Sequence, residues 1–339
     1  MHGIVEKKMA RTDIANSFRM VLPLLLVGTS VGSALGTAAD ANPKVADVLA
    51  ALQCLSAAPE PAPCRDGDFS VPSGGHLQGI QEATIAGEPF AILSGSAARE
   101  SYLALISLAE SPGQVTAIKP LLSRPFKHAG GFQVCGDYLA VGIEDDNTKD
   151  TSRIWILSLP ELLESARPKP VIEIKRQGQY KRATAGAVGM AKVVDRHLVC
   201  VGTWDSATID IYLSNGEPLD DPVCAFDFRE TWDLKKADRS DWSDRDFASY
   251  QNLNLVVDVK DQVFLVGFAR TGGADVADVF TLDLDASTSP ARRLQKIGRY
   301  SFRGRKTSFR HGAGLVVTDA QTLNILSCGY QKFVIERFH

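Results

Sequence analysis

From about residue 68 to the end of the chain, apolar and polar positions alternate in short runs separated by Gly, Asp, Asn and Pro. That is the period of half-buried β-strands, and only the segment ELLESAR, beginning at Glu161, carries a helical pattern. The runs recur as a unit. Each unit opens with a small-residue turn and first strand, as in His76-Leu77-Gln78-Gly79-Ile80-Gln81 and His128-Ala129-Gly130-Gly131-Phe132-Gln133. Weaker openers stand at Thr184, Tyr250 and His311. A second strand follows each opener, as FAILSGS, YLAVGIED, LVCVGTWD, VFLVGFAR or LNILSCGY. Third strands then read YLALISLA, RIWILSLP, TIDIYLS, DVFTLDL and KFVIERF.

Units of three or four strands with openers roughly 50–70 residues apart fit propeller blades better than a sandwich. Five openers predict an all-β, five-bladed β-propeller. The first four units carry a fourth strand, and the fifth ends with the chain after three. The predicted remedy is an N-terminal strand at residues 68–71 (DFSV) that completes the last blade and removes its open edge. On this reading residues 1–41 are a leader, 42–67 an N-terminal extension and 68–339 the propeller. In architecture the chain resembles secreted five-bladed propellers, although it has neither the Gly-His and Trp-Asp repeats of WD40 proteins nor a kelch diglycine.

The leader is read from Lys7, Lys8, Arg11 and Arg19 ahead of an apolar stretch at residues 20–35, with Ala39-Asp40-Ala41 as a small-x-small cleavage pattern. It predicts a periplasmic or secreted protein with no membrane span once the leader is removed. All six cysteines lie beyond that point, where disulfides persist, and Cys54 and Cys64 bracket a Pro-rich loop that a bridge would pin. No CxxC or zinc-type Cys/His spacing is present.

Composition narrows the function classes. With 37 basic and 40 acidic residues the formal charge is −3, which does not suit a general nucleic-acid binder. Phosphate loops, Gly-x-Ser-x-Gly elbows, HExxH and dinucleotide fingerprints are missing. Chemistry is therefore sought where propeller topology converges. The starts of the first strands and the loops joining second to third strands share one face, and they bring together His76, His128 and His311 with Glu144, Asp205 and Arg270. Three of six histidines occupy equivalent openers. They predict a ligand-binding channel mouth for a carbohydrate, an anionic small molecule or an envelope protein. No cofactor is firmly implied, though converging imidazoles with a carboxylate also suit a divalent metal.

The alternative is a hydrolase, glycosidic or metal-assisted, using Glu144 or Asp205. The architectural resemblance implies the glycosidic version, because five-bladed propeller glycosidases place three carboxylates on this face. Two are in place, and Ser96, Arg270 and Tyr330 stand where further ones are sought. Two charged segments complete the picture. Residues 292–311 hold eight cations and no acid, and are read as a solvated outer strand or a polyanion contact. The acidic insertion near 232–246 carries Trp232 and Trp242, either to stack on a sugar or to anchor the loop.

Overall fold

The computed structural model describes residues 41–285 and 287–339, so the expected leader falls almost wholly outside the described residues. Five antiparallel blades follow one another along the chain. Blade 1 is His76–Ile85, Glu88–Ser96, Glu100–Ser107 and Gly113–Ser123, and blade 2 is His128–Cys135, Tyr138–Glu144, Thr151–Ser158 and Ile172–Gln177. Blade 3 is Ala187–Val193, Arg196–Gly202, Thr208–Ser214 and Phe226–Asp233, and blade 4 is Asn252–Val257, Val263–Thr271, Ala274–Leu282 and Leu294–Phe302. Blade 5 contributes Ala313–Val317, Leu323–Cys328 and Ile335–Phe338. The helical pattern becomes a short helix, Leu159–Glu164, between the last two strands of blade 2.

The apolar residues form five clusters, and each lies between two successive blades. Phe132 with Ile92 joins blades 1 and 2, Val188 with Ile156 joins 2 and 3, and Leu253 with Cys200 joins 3 and 4. Phe268 with Ile325 joins 4 and 5, and Leu326 with Ile80 joins 5 back to 1. That last cluster closes the ring. A strand face buries apolar residues because a neighbouring blade covers it, which is why the second strands read as near-continuous apolar runs.

The strand that completes blade 5 is Glu60–Ala62, which pairs antiparallel with Ile335–Phe338. It replaces the expected segment 68–71, which has no strand pairing, although Phe69 and Val71 pack against the core between blades 5 and 1. Pro61 and Pro63 disguise the closing strand as loop. An outermost strand tolerates proline, because one side of its backbone has no partner to bond. Directly after it, Cys64–Arg65 pairs parallel with the last strand of blade 1, so one short segment ties the last blade to the first. A second helix, Val48–Gln53, packs Val48 and Leu52 into the core between blades 4 and 5.

A chain starting at Cys64 is expected to expose the edge of Ile335–Phe338 and lose this seam. It should melt well below the full protein and self-associate on size-exclusion chromatography. A monomer of unchanged Tm would show that closure does not need this strand.

No disulfide forms among the described residues, contrary to the expected Cys54–Cys64 bridge. Cys54 caps the helix Val48–Gln53, whereas Cys64 lies in the seam and donates its thiol to the Phe333 carbonyl. Burial pushes the Cys64 thiol up to about 11, with Asp66 adding to the shift. No helix among the described residues is long and apolar enough to cross a membrane.

Candidate functional site at the channel mouth

The openers owe their glycines and glutamines to crowding at the centre of the ring. A Cβ on Gly130 would stand 2.2 Å from the Gly186 carbonyl oxygen, and one on Gly131 would stand 2.5 Å from that of Gln251. First strands of adjacent blades approach so closely there that Gly131 pairs with Ala187 across the blade boundary. Gln133 then crosses the channel. Its Oε1 accepts from the Met190 and Leu255 N–H groups at 3.0 and 2.7 Å, and its Nε2 donates to the Leu255 carbonyl at 2.7 Å. Gln81 and Asn254 do the same between other blades, with Asn254 Oδ1 accepting from Gln81 and from Leu315 N–H. The channel is plugged by these amides, and the opener's histidine is left at the mouth.

The other end is covered by the segment 41–44. Asn42 donates to the Val134 carbonyl at 2.7 Å and accepts from Gly136 N–H at 3.0 Å, beside a small pocket of about 90 Å³ lined by Gln133, Leu255 and Leu315.

At the mouth a cavity of about 260 Å³ is lined by His76, His128, Glu144, Asp146, Trp204 and Asp205, with Gln78 and Gln251 at its edge. Four of the six expected site residues meet here. Glu144 ends the second strand of blade 2, opposite His128 in register. Its side chain is fully buried, and Oε2 accepts from Ala185 N–H at 2.6 Å. Oε1 stands 3.1 Å from His128 Nδ1 without hydrogen-bond geometry, so this buried oxygen is left unsatisfied. His128 Nδ1 is in the same condition, so the two atoms face each other as an acid–imidazole pair at the wall of the cavity.

Asp205 stands in a turn in which it and Ser206 both have left-handed backbones, at φ 62° and 49°. Such a turn costs on the order of 1–3 kcal/mol per residue and is held by its surroundings. Ser206 Oγ donates to the Tyr250 carbonyl at 2.9 Å, and Ser249 donates to Asp205 Oδ1 at 3.0 Å. Thr184, the third opener, fixes the neighbouring residue by accepting from Trp204 N–H at 2.7 Å. Lys149 covers the indole, with its ammonium 3.6 Å from the ring centroid.

Asp146, which the second-to-third loop of blade 2 also brings to this face, lines the cavity with the Lys127 ammonium 3.1 Å away. Its signal was its place two residues after Glu144 in the second-to-third loop. Asp145 between them turns inward and caps that loop, accepting from Asn147 and Thr148. Tyr250, the fourth opener, borders the cavity but sends its hydroxyl into the core, where it donates to Asp278 at 2.6 Å.

The three imidazoles form a row along one side of the mouth. His76 and His128 lie 6.1 Å apart between ring centroids, and Tyr330 stands between His76 and His311 at 5.0 and 4.7 Å. Tyr330 thus separates His311 from the other two, and no group of three or more metal-ligating side chains forms among the described residues. Arg270 lies beside His311 and outside the cavity, paired with Asp275 at 3.3 Å.

Burial first, then His128 and His311, pulls the His76 pKa down to about 4. Lys127 acts in the same direction and Asp146 against it. His311 is lowered mainly by burial and by Arg310. The unfolded chain then takes up these protons before the folded one does. Stability contributed by His76 is complete above about pH 6.5 and is lost as pH falls toward 4. A Tm profile over pH 4–7 should fall on the acid side, and His76→Asn should flatten that slope; an unchanged slope would remove His76 as its source.

The charged segments resolve each other. Lys296, on the last strand of blade 4, is fully buried against Asp278 and Asp244, and Arg299 binds Asp278 at 2.6 Å. Arg292 pairs with Asp238 at 2.8 Å and Arg293 with Glu230 at 3.0 Å. The first part of the cationic run, to Arg299, is therefore held by acids of the insertion and of neighbouring strands, whereas Arg303, Arg305, Lys306 and Arg310 are exposed. Trp232 and Trp242 are buried in the core between blades 3 and 4, with Trp242 Nε1 donating to the Leu294 carbonyl at 3.1 Å, so both are anchors.

No protein-family model matches the chain, and no curated protein matches its sequence. Solved structures resemble it at very low identity. The catalytic domain of a GH62 α-L-arabinofuranosidase from Coprinopsis cinerea has 10% identity and a TM-score of 0.45 over 84% of this chain and 96% of that one. An exo-β-1,3-galactanase from Phanerochaete chrysosporium has 6% identity and a TM-score of 0.49, covering 82% of this chain and 62% of that one. An α-L-arabinofuranosidase from Podospora anserina has 8% identity and a TM-score of 0.43, covering 83% and 96%.

Proposed function

We propose that the mouth binds a carbohydrate and hydrolyses a glycosidic bond, and that the protein acts outside the cytoplasm. The observation that carries this reading is the set of three carboxylates, Glu144, Asp146 and Asp205, around one cavity with Trp204 in its wall. Glycosidic hydrolysis needs one carboxyl group to protonate the leaving oxygen and a second to attack the anomeric carbon or to activate water. Glu144 is assigned the proton transfer, because its Oε1 has no protein hydrogen bond and stands beside His128. Asp205, presented by a strained turn, is assigned the second role. Asp146, held by Lys127, orients a sugar hydroxyl.

Binding without turnover is the second reading. It is favoured by the engagement of both principal acids with protein donors, Ala185 N–H on Glu144 and Ser249 on Asp205. The two separate in a screen of plant and bacterial polysaccharides and aryl glycosides against the full chain. Release of reducing ends or aryl alcohol supports the hydrolase. Saturable binding with no release supports the binding module, and neither result across the panel removes the carbohydrate assignment.

A further inference from the structure

Acids and cations mix at one end of the mouth and cations prevail at the other. Blades 2 and 3 supply Glu144, Asp146 and Asp205, with Lys127 beside Asp146 and Lys149 over Trp204, whereas Arg270 of blade 4 and Arg310 in the loop into blade 5 form a cationic side next to His311. We propose that this cationic side recognises an acidic substituent, a carboxylate or a sulfate ester, on the glycan taken by the mouth. The proposal rests on the carbohydrate reading above but not on turnover.

Two cations are brought together by one buried carboxylate. Asp275 faces Arg270 at 3.3 Å, and its Oδ1 also accepts from Ser308 Oγ at 2.9 Å and Phe309 N–H at 3.0 Å. Arg270 and the residues just before Arg310 are thus fastened to the same group. The loop is held a second time by Glu336, which accepts from the N–H groups of Arg305 and Lys306 and from the Thr307 hydroxyl, at 2.9, 3.0 and 2.7 Å. One carboxylate, Asp275, offsets one of the two charges, and Arg310 is exposed and forms no ion pair among the described residues. A positive excess therefore faces solvent on a loop already fixed in place, so binding an anion orders little further backbone.

This side is connected to the carboxylate cavity by rings. His128, His76, Tyr330 and His311 follow one another at centroid spacings of 6.1, 5.0 and 4.7 Å, and Tyr330 is 45% exposed. Ring faces suit the apolar faces of sugars, while a guanidinium matches a carboxylate or sulfate through paired N–H donors. A glycan lying along the row with one sugar over Glu144 brings a sugar further along its chain, beyond the immediate neighbour, to Arg270 and Arg310.

The test is calorimetric titration of the full chain with a galacturonate tetramer, its neutral methyl ester, a sulfated glycan tetramer and inorganic sulfate. The acidic tetramers are expected to bind at least tenfold more tightly than the ester, with the advantage shrinking as salt rises. The better of the two identifies the acid class. Arg310→Gln should cut that advantage several-fold, and Arg270→Gln with Arg310→Gln should abolish it, with binding of the neutral ester unchanged. Arg310→Gln disturbs no buried partner, so it remains readable if the double variant folds poorly. Equal binding of acid and ester, an advantage that survives both substitutions, or equally tight binding of inorganic sulfate would each overturn the proposal. Preference for acidic glycan without cleavage leaves it standing and removes the hydrolase. Cleavage of neutral glycan with no acidic preference does the reverse.

Discussion

Glu144→Gln is expected to lower glycan cleavage by about 10²–10⁴-fold, the range attributed to a positioned proton-transferring group. The substitution is close to isosteric. The new amide oxygen can still accept from Ala185 N–H, which now meets Oε2 at 2.6 Å, so the floor of the cavity keeps its shape. What is lost is a group that can give and take a proton beside His128, 3.1 Å from Oε1. The effect should fall on the rate more than on binding, since Trp204 and Asp146 in the cavity wall are untouched. Initial rates of reducing-end release, read beside the Tm of each protein, check the result. A variant that folds normally and keeps more than a tenth of the parent's rate would remove Glu144 from the chemistry. Asp205→Asn should cause a loss of similar order, because its turn is retained by Ser206 and Tyr250 whatever the acid's charge.

The largest effect on stability is expected from Gln133→Leu, about 3–5 kcal/mol. Gln133 is buried, and it satisfies two N–H groups, of Met190 and Leu255, and one carbonyl. Leucine fills nearly the same volume but leaves these backbone groups unpaired in the middle of the ring, at about 1–3 kcal/mol for each lost partner. Burying more apolar surface does not offset that. Urea unfolding followed by tryptophan fluorescence should show the midpoint falling sharply. A loss under 1 kcal/mol would mean that water enters the channel and replaces the amide. Gln133→Glu, which keeps the acceptor but not the donor, should lie between the parent and the leucine variant.

Much of the ring was readable along the chain because it is repetitive. Alternation marked the strands, and the spacing of openers such as His128-Ala129-Gly130-Gly131-Phe132-Gln133 marked the blades. The function of that motif was not readable. Its glycines and glutamine serve contact between first strands from different blades, for example Gly131 with Gln251 and Gln133 with Leu255, and no local pattern shows that distance. The closing strand was missed for a related reason. Glu60–Ala62 has no strand-like sequence of its own and is extended because Ile335–Phe338 offers it an edge.

The same division holds at the mouth. Sequence alone determined that His76, His128, Glu144 and Asp205 would gather on one face, since position within a repeat dictates which end of a strand a residue occupies. Only the tertiary structure decided that Asp146 lines the cavity while Asp145 caps a loop, that Tyr330 parts His311 from the other imidazoles, and that Lys296 and Arg299 are clamped by acids. Strand periodicity is a property of neighbouring residues and survives in the one-dimensional record. Charge pairing and ring stacking arise between segments that meet only once the blades have closed.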